Sequence, residues 1–516
     1  MKKFSVTLLF GLLILAFGAT AYGQPKLEFK ASGFIDVVTN LMQNVTEGNP
    51  VAGIYGGVAA TGRPSAFPAN ATNSGFNKNY SFLATRGRLK FDAIMEKNLS
   101  GTIFFEMDST AWGETTPVNN DQRNAAGVWN ADRGAVEVKN LYFDFGVPYF
   151  GIPVPMTVRA GIQPLAVRPN MLLYTDGAGI TGGIDIAPVK IQPLWFKALE
   201  GRNFDSDDVD VYGLNVNARL GTFTVGGYAL YYNMNTYPLS SFTSVGGVAP
   251  SFSSDMWWFG VYADGKAGPV NLNFDFIFDY GTVDDRNVNA PAGVGVSDVN
   301  YQGWATRLKV DYPWEKFNFG VVGMYATGAD QQKTGPRGVP GEAVGNNPAV
   351  FGSSKRVSSY VTPPGSESSA IFGEALVLYS SWVNRGTTGI ANTFNIFGVS
   401  NGGIGGTWMA KAYGSYKATP WYKVTVQGLY IGDTTKNGDT FGTARNGAGL
   451  PKDSGTIGWE LDLINEFQLY KNLSFALGGG YLFPGGALKY VYDPVTNYNL
   501  QPHNPWIVTS ALTYNF

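Results

Sequence analysis

The sequence predicts an all-β fold: a transmembrane antiparallel up-and-down barrel of about eighteen strands, with sixteen or twenty as the alternatives. Three observations point there. Apolar and polar residues alternate with a period of two, and the charges keep to one face. The connectors between these stretches alternate between short and long. The composition is rich in glycine and aromatics (67 Gly, 34 Phe, 28 Tyr, 12 Trp), has no cysteine, and is 15% charged. Beyond the leader, no apolar run reaches the roughly 18–20 residues of a membrane helix.

The leader comes first. "MKKFSVTLLFGLLILAFGATAYGQ" has two lysines, an apolar core from Val6 to Phe17, and small residues before Gln24. It reads as a secretory signal peptide over 1–23, with one barrel domain over 24–516. No cysteine follows, which excludes a lipid-anchored lipoprotein. Without Lys2 and Lys3, 35 basic residues face 39 acidic ones. A net charge of about −4 carries no nucleic-acid signature. The absence of cysteine also excludes disulfides, thiol catalysis and cysteine metal sites.

The strands follow in order. In "FLATRGRLKFDAI", Leu83, Leu89, Phe91 and Ala93 share one face while Arg86, Arg88, Lys90 and Asp92 share the other. "GTIFFEMDS" sets Ile103, Phe105 and Met107 against Thr102, Glu106 and Asp108. "WATRLKVDY" opposes Trp304, Leu308, Val310 and Tyr312 to Arg307, Lys309 and Asp311. In "WELDLINEF", Trp459, Leu461 and Leu463 oppose Glu460 and Asp462. Short connectors near 96–98, 187–188, 220–222, 266–268, 313–316, 419–420 and 470–472 are turns at one rim. Long ones near 41–79, 112–134, 235–253, 282–300, 329–405, 434–456 and 485–503 are loops at the other. Seventeen strands would break this alternation, and a strand at 179–186, "GITGGIDI", restores it with nine loops and eight turns. The stretch 369–383 reads as two further strands or a short helix.

A lipid-facing apolar parity turns the other face toward the lumen. The basic candidates there are Arg86, Arg88, Lys90, Arg159, Arg307 and Lys309, joined by Lys411 and Lys423. The acidic candidates are Glu106, Asp108, Asp144, Asp311, Glu460 and Asp462. Opposed ladders of the two signs set up a transverse field that orients polar solutes. The 77-residue stretch 329–405 is long for a passive connector, and it is expected to form a constriction or a cap. Trp257, Trp258, Trp304, Trp314, Trp421 and Tyr422 suit the headgroup region.

Enzyme chemistry finds little support. His503 is the only histidine, so a histidine triad or a histidine metal cluster has no members to draw on. "FDSDDVD" (204–210) lacks the glycine and closing glutamate of an EF-hand loop and reads as a solvated acidic loop. No cofactor or metal is implied.

The last eleven residues, "WIVTSALTYNF", place Trp506, Val508, Leu512, Tyr514 and Phe516 on one face. This resembles the closing strand of outer-membrane barrels, whose terminal aromatic is read by the barrel-assembly machinery. "RGRLKFDAIMEKNLSGTIFFEMD" (86–108) is similar to an early hairpin of large Gram-negative porins. "NLYFDFGVP" and "MTVRAGIQPL" look like a hairpin of the alginate-export-like barrels. Where those carry a Gly-Arg-Gln pattern, this chain has Gly161-Ile162-Gln163 with Arg159 two residues earlier. The resemblance implies an outer-membrane porin for small hydrophilic solutes, seated in outer-membrane lipid; a homotrimer stays open. The alternatives are an export channel for an anionic polysaccharide and a sheath for a periplasmic electron carrier.

Overall fold

A computed structural model describes residues 27–45, 79–96, 98–107, 112, 136–147, 154–201, 206–235, 252–285, 299–331, 356–385, 390–391, 399–493 and 496–516. The leader, Asp108, Asp205 and much of 329–405 therefore lie outside the described residues.

Eighteen strands form the wall. They are β1 (Glu28–Gln43), β2 (Asn79–Glu96), β3 (Leu99–Met107), β4 (Glu137–Gly146), β5 (Met156–Val167) and β6 (Leu173–Ile186). Next come β7 (Val189–Leu199), β8 (Val209–Leu220), β9 (Phe223–Met234), β10 (Phe252–Ala267), β11 (Val270–Asp285) and β12 (Val299–Trp314). The set ends with β13 (Phe317–Ala326), β14 (Thr407–Thr419), β15 (Tyr422–Asp433), β16 (Thr456–Tyr470), β17 (Leu473–Pro484) and β18 (Trp506–Asn515). Each pairs antiparallel with its sequence neighbours. The sheet closes where β1 pairs with β18, from Phe34↔Asn515 to Gln43↔Trp506. The segment 368–383 holds one short helix, α1 (Ser368–Ile371), and otherwise irregular chain; no further wall strand forms there.

Period-two alternation builds the wall. Outward positions carry Leu83, Phe91, Ile103, Leu308, Tyr312, Trp459, Leu461 and Leu463, all exposed. Inward positions carry the charges, because a charge facing lipid at mid-membrane costs about 2–4 kcal/mol. Outward rings form stacks, among them Tyr231 on Trp257 at 4.4 Å and Phe317 on Tyr416 at 4.8 Å. Trp258 departs from the interface role expected of it. It sits one residue out of phase with Trp257, points inward, is fully buried, and donates from Nε1 to the Val361 carbonyl at 2.8 Å.

Phe516 completes the seam. Its N–H donates to the Gly33 carbonyl at 3.0 Å, and its carbonyl accepts from the Gly33 N–H at 2.9 Å. Its ring lies over Gly33, so a β-carbon there would meet the ring at 2.8 Å and clash with the Arg88 carbonyl.

One hairpin leaves the wall. β4 and β5 pair only from Gly146↔Thr157 to Leu141↔Ile162, although β5 continues to Val167 against β6. Gly161, at φ 129°, marks the departure, where a β-carbon would collide with the Leu141 carbonyl. Beyond it the hairpin crosses the lumen, and Met171, Leu172 and Leu173 are buried at its tip.

Replacing Gly33 with Val should block the seam. Overpacking of this kind costs about 1–3 kcal/mol, so the folded, heat-modifiable band on an unboiled gel should fall against wild type during refolding. An unchanged folded fraction would show that the contact yields freely.

Candidate functional site: a narrowed, charge-lined lumen

Two inward segments narrow the barrel. The first is the β5–β6 tip. Arg168, at φ 44°, donates to Asp264 on β10 at 2.6 and 3.2 Å and also to Asp275 on β11. Its guanidinium lies 4.6 Å from the Tyr262 ring centroid. The tip is thus bolted to the wall at β10 and β11.

The second is the connection between β13 and β14. Tyr360 donates from its hydroxyl to the Met171 carbonyl at 2.8 Å, and Ser366 donates to the Leu172 carbonyl at 2.7 Å. The Glu367 N–H reaches the Tyr174 carbonyl at 2.8 Å, locking the two segments together. Further along, Phe372 and Tyr379 pack edge to face at 5.0 Å in an apolar knob with Leu376, Val377 and Leu378, all buried.

Wall charges hold that knob. The Glu374 carboxylate binds Arg307 of β12 and takes the Lys411 ammonium of β14 at 2.8 Å. Its backbone carbonyl accepts from Lys411 at 2.8 Å and from Gln427 at 3.2 Å. Glu460 accepts the N–H groups of Val377 and Leu378 at 2.5 and 2.9 Å. Asp462 accepts the Leu376 N–H at 3.3 Å and the Gln427 amide at 2.6 Å. Arg385 ties the outgoing chain to Asp36 of β1 at 3.1 Å and Thr513 of β18 at 2.6 Å. Burial alone would raise the Glu374 carboxyl, but Lys411 and Arg307 outweigh it and hold the group at about 2.

The inward charges thus fall into two sets. Arg307, Glu460 and Asp462 are nearly or fully buried and spent on the knob. Arg86, Arg88, Lys90 and Arg159 keep side-chain exposures of 30%, 18%, 35% and 35%. They lie on β2 and β5 with Glu106 of β3. Glu106 receives three cations: Arg88 at 2.7 Å, Lys139 at 2.8 Å and Arg86 at 3.5 Å. Lys139 also binds Asp176 at 2.7 Å. Lys90 pairs with Asp92 at 3.0 Å; Arg159 pairs with Asp144 at 2.7 Å and lies 4.2 Å from the Tyr142 ring centroid. Lower on the wall, Lys309 lies 4.0 Å from Asp311 and 5.5 Å from the Tyr413 ring centroid.

Glu367, exposed at the locked loop, feels Lys139 and Arg86 on one side and Asp176 and Glu106 on the other. Although the side chain reaches solvent, desolvation by the loop and wall packed around it raises its carboxyl from the ordinary value; Lys139 opposes this and Asp176 adds to it. Sequence reasoning missed Lys139, Glu367, Glu374 and Arg168. A β-bulge between Phe104 and Phe105 shifts Lys139 out of simple alternation, and the other three stand on or beside connections where no period applies. Of the acidic 204–210 stretch, Asp208 and Asp210 are held by Lys197 at 2.8 and 3.4 Å. Among the described residues no group of three or more metal-ligating side chains exists.

The fold is a closed eighteen-strand antiparallel barrel with an apolar exterior and a charged lumen. Solved structures that match include OccK8 (OprE) of Pseudomonas aeruginosa, at 10% identity over 95% of this chain and 98% of that one, TM-score 0.47. The outer membrane protein opdK of the same organism matches at 9% identity over 95% and 98%, TM-score 0.47. A BenF-like porin from Pseudomonas fluorescens Pf-5 matches at 8% identity over 96% and 100%, TM-score 0.45. No protein-family model and no curated protein matches the chain. Likeness this distant carries no argument, so function rests on the lumen itself.

Glu374→Gln should free the knob. It leaves Arg307 and Lys411 without their carboxylate, a loss of about 3–5 kcal/mol for a broken buried pair. Single-channel recordings should show larger or flickering conductance; an unchanged trace would deny that the clamp holds the constriction. Because docking depresses this carboxyl, its contribution is complete above about pH 4.5 and is lost as the pH falls toward about 2. In wild type, flicker should therefore appear across that interval.

Proposed function

We propose that the protein is an outer-membrane porin passing small hydrophilic solutes down their gradient, through a channel confined to the side of the lumen formed by β1–β5. One observation carries this reading. Five partly exposed cations, Arg86, Arg88, Lys90, Lys139 and Arg159, cluster on that side, while Arg307, Glu460 and Asp462 are buried beneath the chain's own loops; the exposed pairs Lys309–Asp311 and Lys423–Glu466 lie toward the periplasmic ends of their strands. Arg86, Arg88, Lys90, Lys139 and Arg159 would line the path with Glu106, Asp92 and Asp144, and Glu367 would face them from the loop. Lys309 and Asp311 would line the periplasmic mouth.

Around Glu106 three cations meet two carboxylates, Glu106 and Asp176, and an ionised Glu367 brings the patch to balance. Mixed charge of this kind suits a selective diffusion channel. It gives no support to export of an anionic polysaccharide, which calls for a net basic lumen. The leader over 1–23 would direct secretion, and the face carrying Trp506, Val508, Leu512, Tyr514 and Phe516 would serve the assembly machinery. Catalysis is not part of this reading.

Planar-bilayer recording tests it. Fixed conductance steps are expected; a barrel closed at every voltage would refute the channel. Neutralising Arg86 and Arg88 to Gln should move the reversal potential in a salt gradient toward cation selectivity, whereas Glu367→Gln should move it toward anions. Because Glu367 titrates above the ordinary carboxylate range, the wild type should also drift toward anions on mild acidification. The Glu367→Gln variant should not. Identical drift in both would assign the titration elsewhere.

A further inference from the structure

The external face carries a concavity that the channel does not use. Its volume is about 660 Å³, and it is lined by Lys452, Lys489, Thr496, Asn497, Tyr498, Asn499 and Gln501. None of these is acidic.

The two lysines are placed by one residue. The Lys452 N–H donates to the Ala444 carbonyl at 2.8 Å, and the Ala444 N–H donates to the Lys489 carbonyl at 3.1 Å. Ala444 thus lies between them as the middle of three adjacent chain segments. With neighbouring segments about 4.8 Å apart, the two backbones stand roughly 10 Å from each other. Asp453, next to Lys452, is engaged elsewhere by the Asn437 N–H at 2.7 Å.

The rest of the wall is braced before any ligand arrives. Asn499 accepts the Arg445 N–H at 2.8 Å and donates to the Arg445 carbonyl at 2.7 Å, which joins the 434–455 and 485–505 loops. The Gln501 amide donates to the carbonyls of Pro484 and Gly485 at 2.9 and 3.0 Å, leaving its own carbonyl free of those bonds. Tyr498 is 57% exposed and is steadied edge-on by Tyr492 at 6.3 Å. Two cations, fixed amides and an exposed ring in a polar hollow match a sugar that carries negative charge. The lysines pair with the acidic groups, the amides meet hydroxyls, and the ring covers the apolar face of a pyranose.

We propose that this hollow binds an anionic sugar, carboxylated or phosphorylated, at the external mouth. Its source is either a free acidic oligosaccharide or the headgroup of a phosphorylated glycolipid, and two probes separate these. Refolded full-length protein is titrated calorimetrically with trigalacturonate, with maltotriose as the neutral control, and separately with detergent-solubilised bisphosphorylated lipid A. The variant is Lys452→Gln with Lys489→Gln, checked for the folded, heat-modifiable band and for wild-type conductance. Binding of either probe that weakens tenfold or more in the variant supports the site and identifies its source. Tyr498→Ala should weaken trigalacturonate at unchanged salt dependence. Equal binding to wild type and variant overturns the proposal, as does the absence of binding by both acidic probes. Trigalacturonate bound no better than maltotriose, with lipid A unaffected by the variant, overturns it as well.

Discussion

Hydrocarbon offers no hydrogen bonds, so each backbone N–H and C=O in contact with lipid must find its partner within the chain. Everything else in this molecule follows from how that demand is met. Sheet hydrogen bonding satisfies every strand except those at an edge, and the ladder from Phe34↔Asn515 to Gln43↔Trp506 removes the edges. Phe516 extends this ladder by two bonds to Gly33. Closure by antiparallel pairing fixes an even strand count, with the start of β1 and the end of β18 at one rim. It also gives each residue an unambiguous side, lipid or lumen.

Once sides are fixed, charge has one place to go, and the lumen acquires more ionic groups than a water path needs. The chain uses the surplus on itself. A loop folded into the lumen brings backbone N–H groups that no strand will pair, and leaving such a group buried and unmet costs about 1–3 kcal/mol. Glu460 and Asp462 meet three of them, at Leu376, Val377 and Leu378. On β11, Asp279 accepts the Val361 and Gly303 N–H groups at 3.1 and 2.9 Å. Carboxylates that resemble pore lining in a strand pattern are here the hydrogen-bond acceptors for an irregular segment. Apolar packing of Phe372 and Tyr379 supplies bulk, while the ionic contacts supply position.

The wall was legible because alternation is local: Arg86 against Phe91, or Glu460 against Trp459, shows which side each residue takes. The eighteenth strand was legible from connector parity, and the observed β6 (Leu173–Ile186) contains the expected 179–186. What lies inside was not legible in this way. Arg168 meets Asp264 across 96 residues, Arg307 meets Glu374 across 67, and Arg385 meets Asp36 across 349. Period-two alternation carries no information about such pairs. The departure of β5 from β4 rests on one glycine among 67, and Trp258 looked like its neighbour Trp257 until burial separated them. Inward direction is a property of the strand; whether an inward charge meets water or a folded loop is a property of the whole chain.

The two sets of lumen charges obey different electrostatics, and this limits which residues shape the path. Buried contacts such as Glu374 with Arg307 and Lys411 are screened by salt much less than exposed ones. The set around Glu106 meets electrolyte, and at physiological ionic strength charges separated by more than about 8 Å are largely screened. In the proposed channel a permeating ion would therefore respond to the few groups it passes closely, not to the sum over the barrel. Glu106 is already shared among Arg86, Arg88 and Lys139, so those cations are held in place but not neutralised one for one. The residual positive charge sits on side chains fixed by their shared acceptor. Whether it persists beside the locked loop then depends on one further group, the carboxyl of Glu367, carried by a segment tied to the β5–β6 tip.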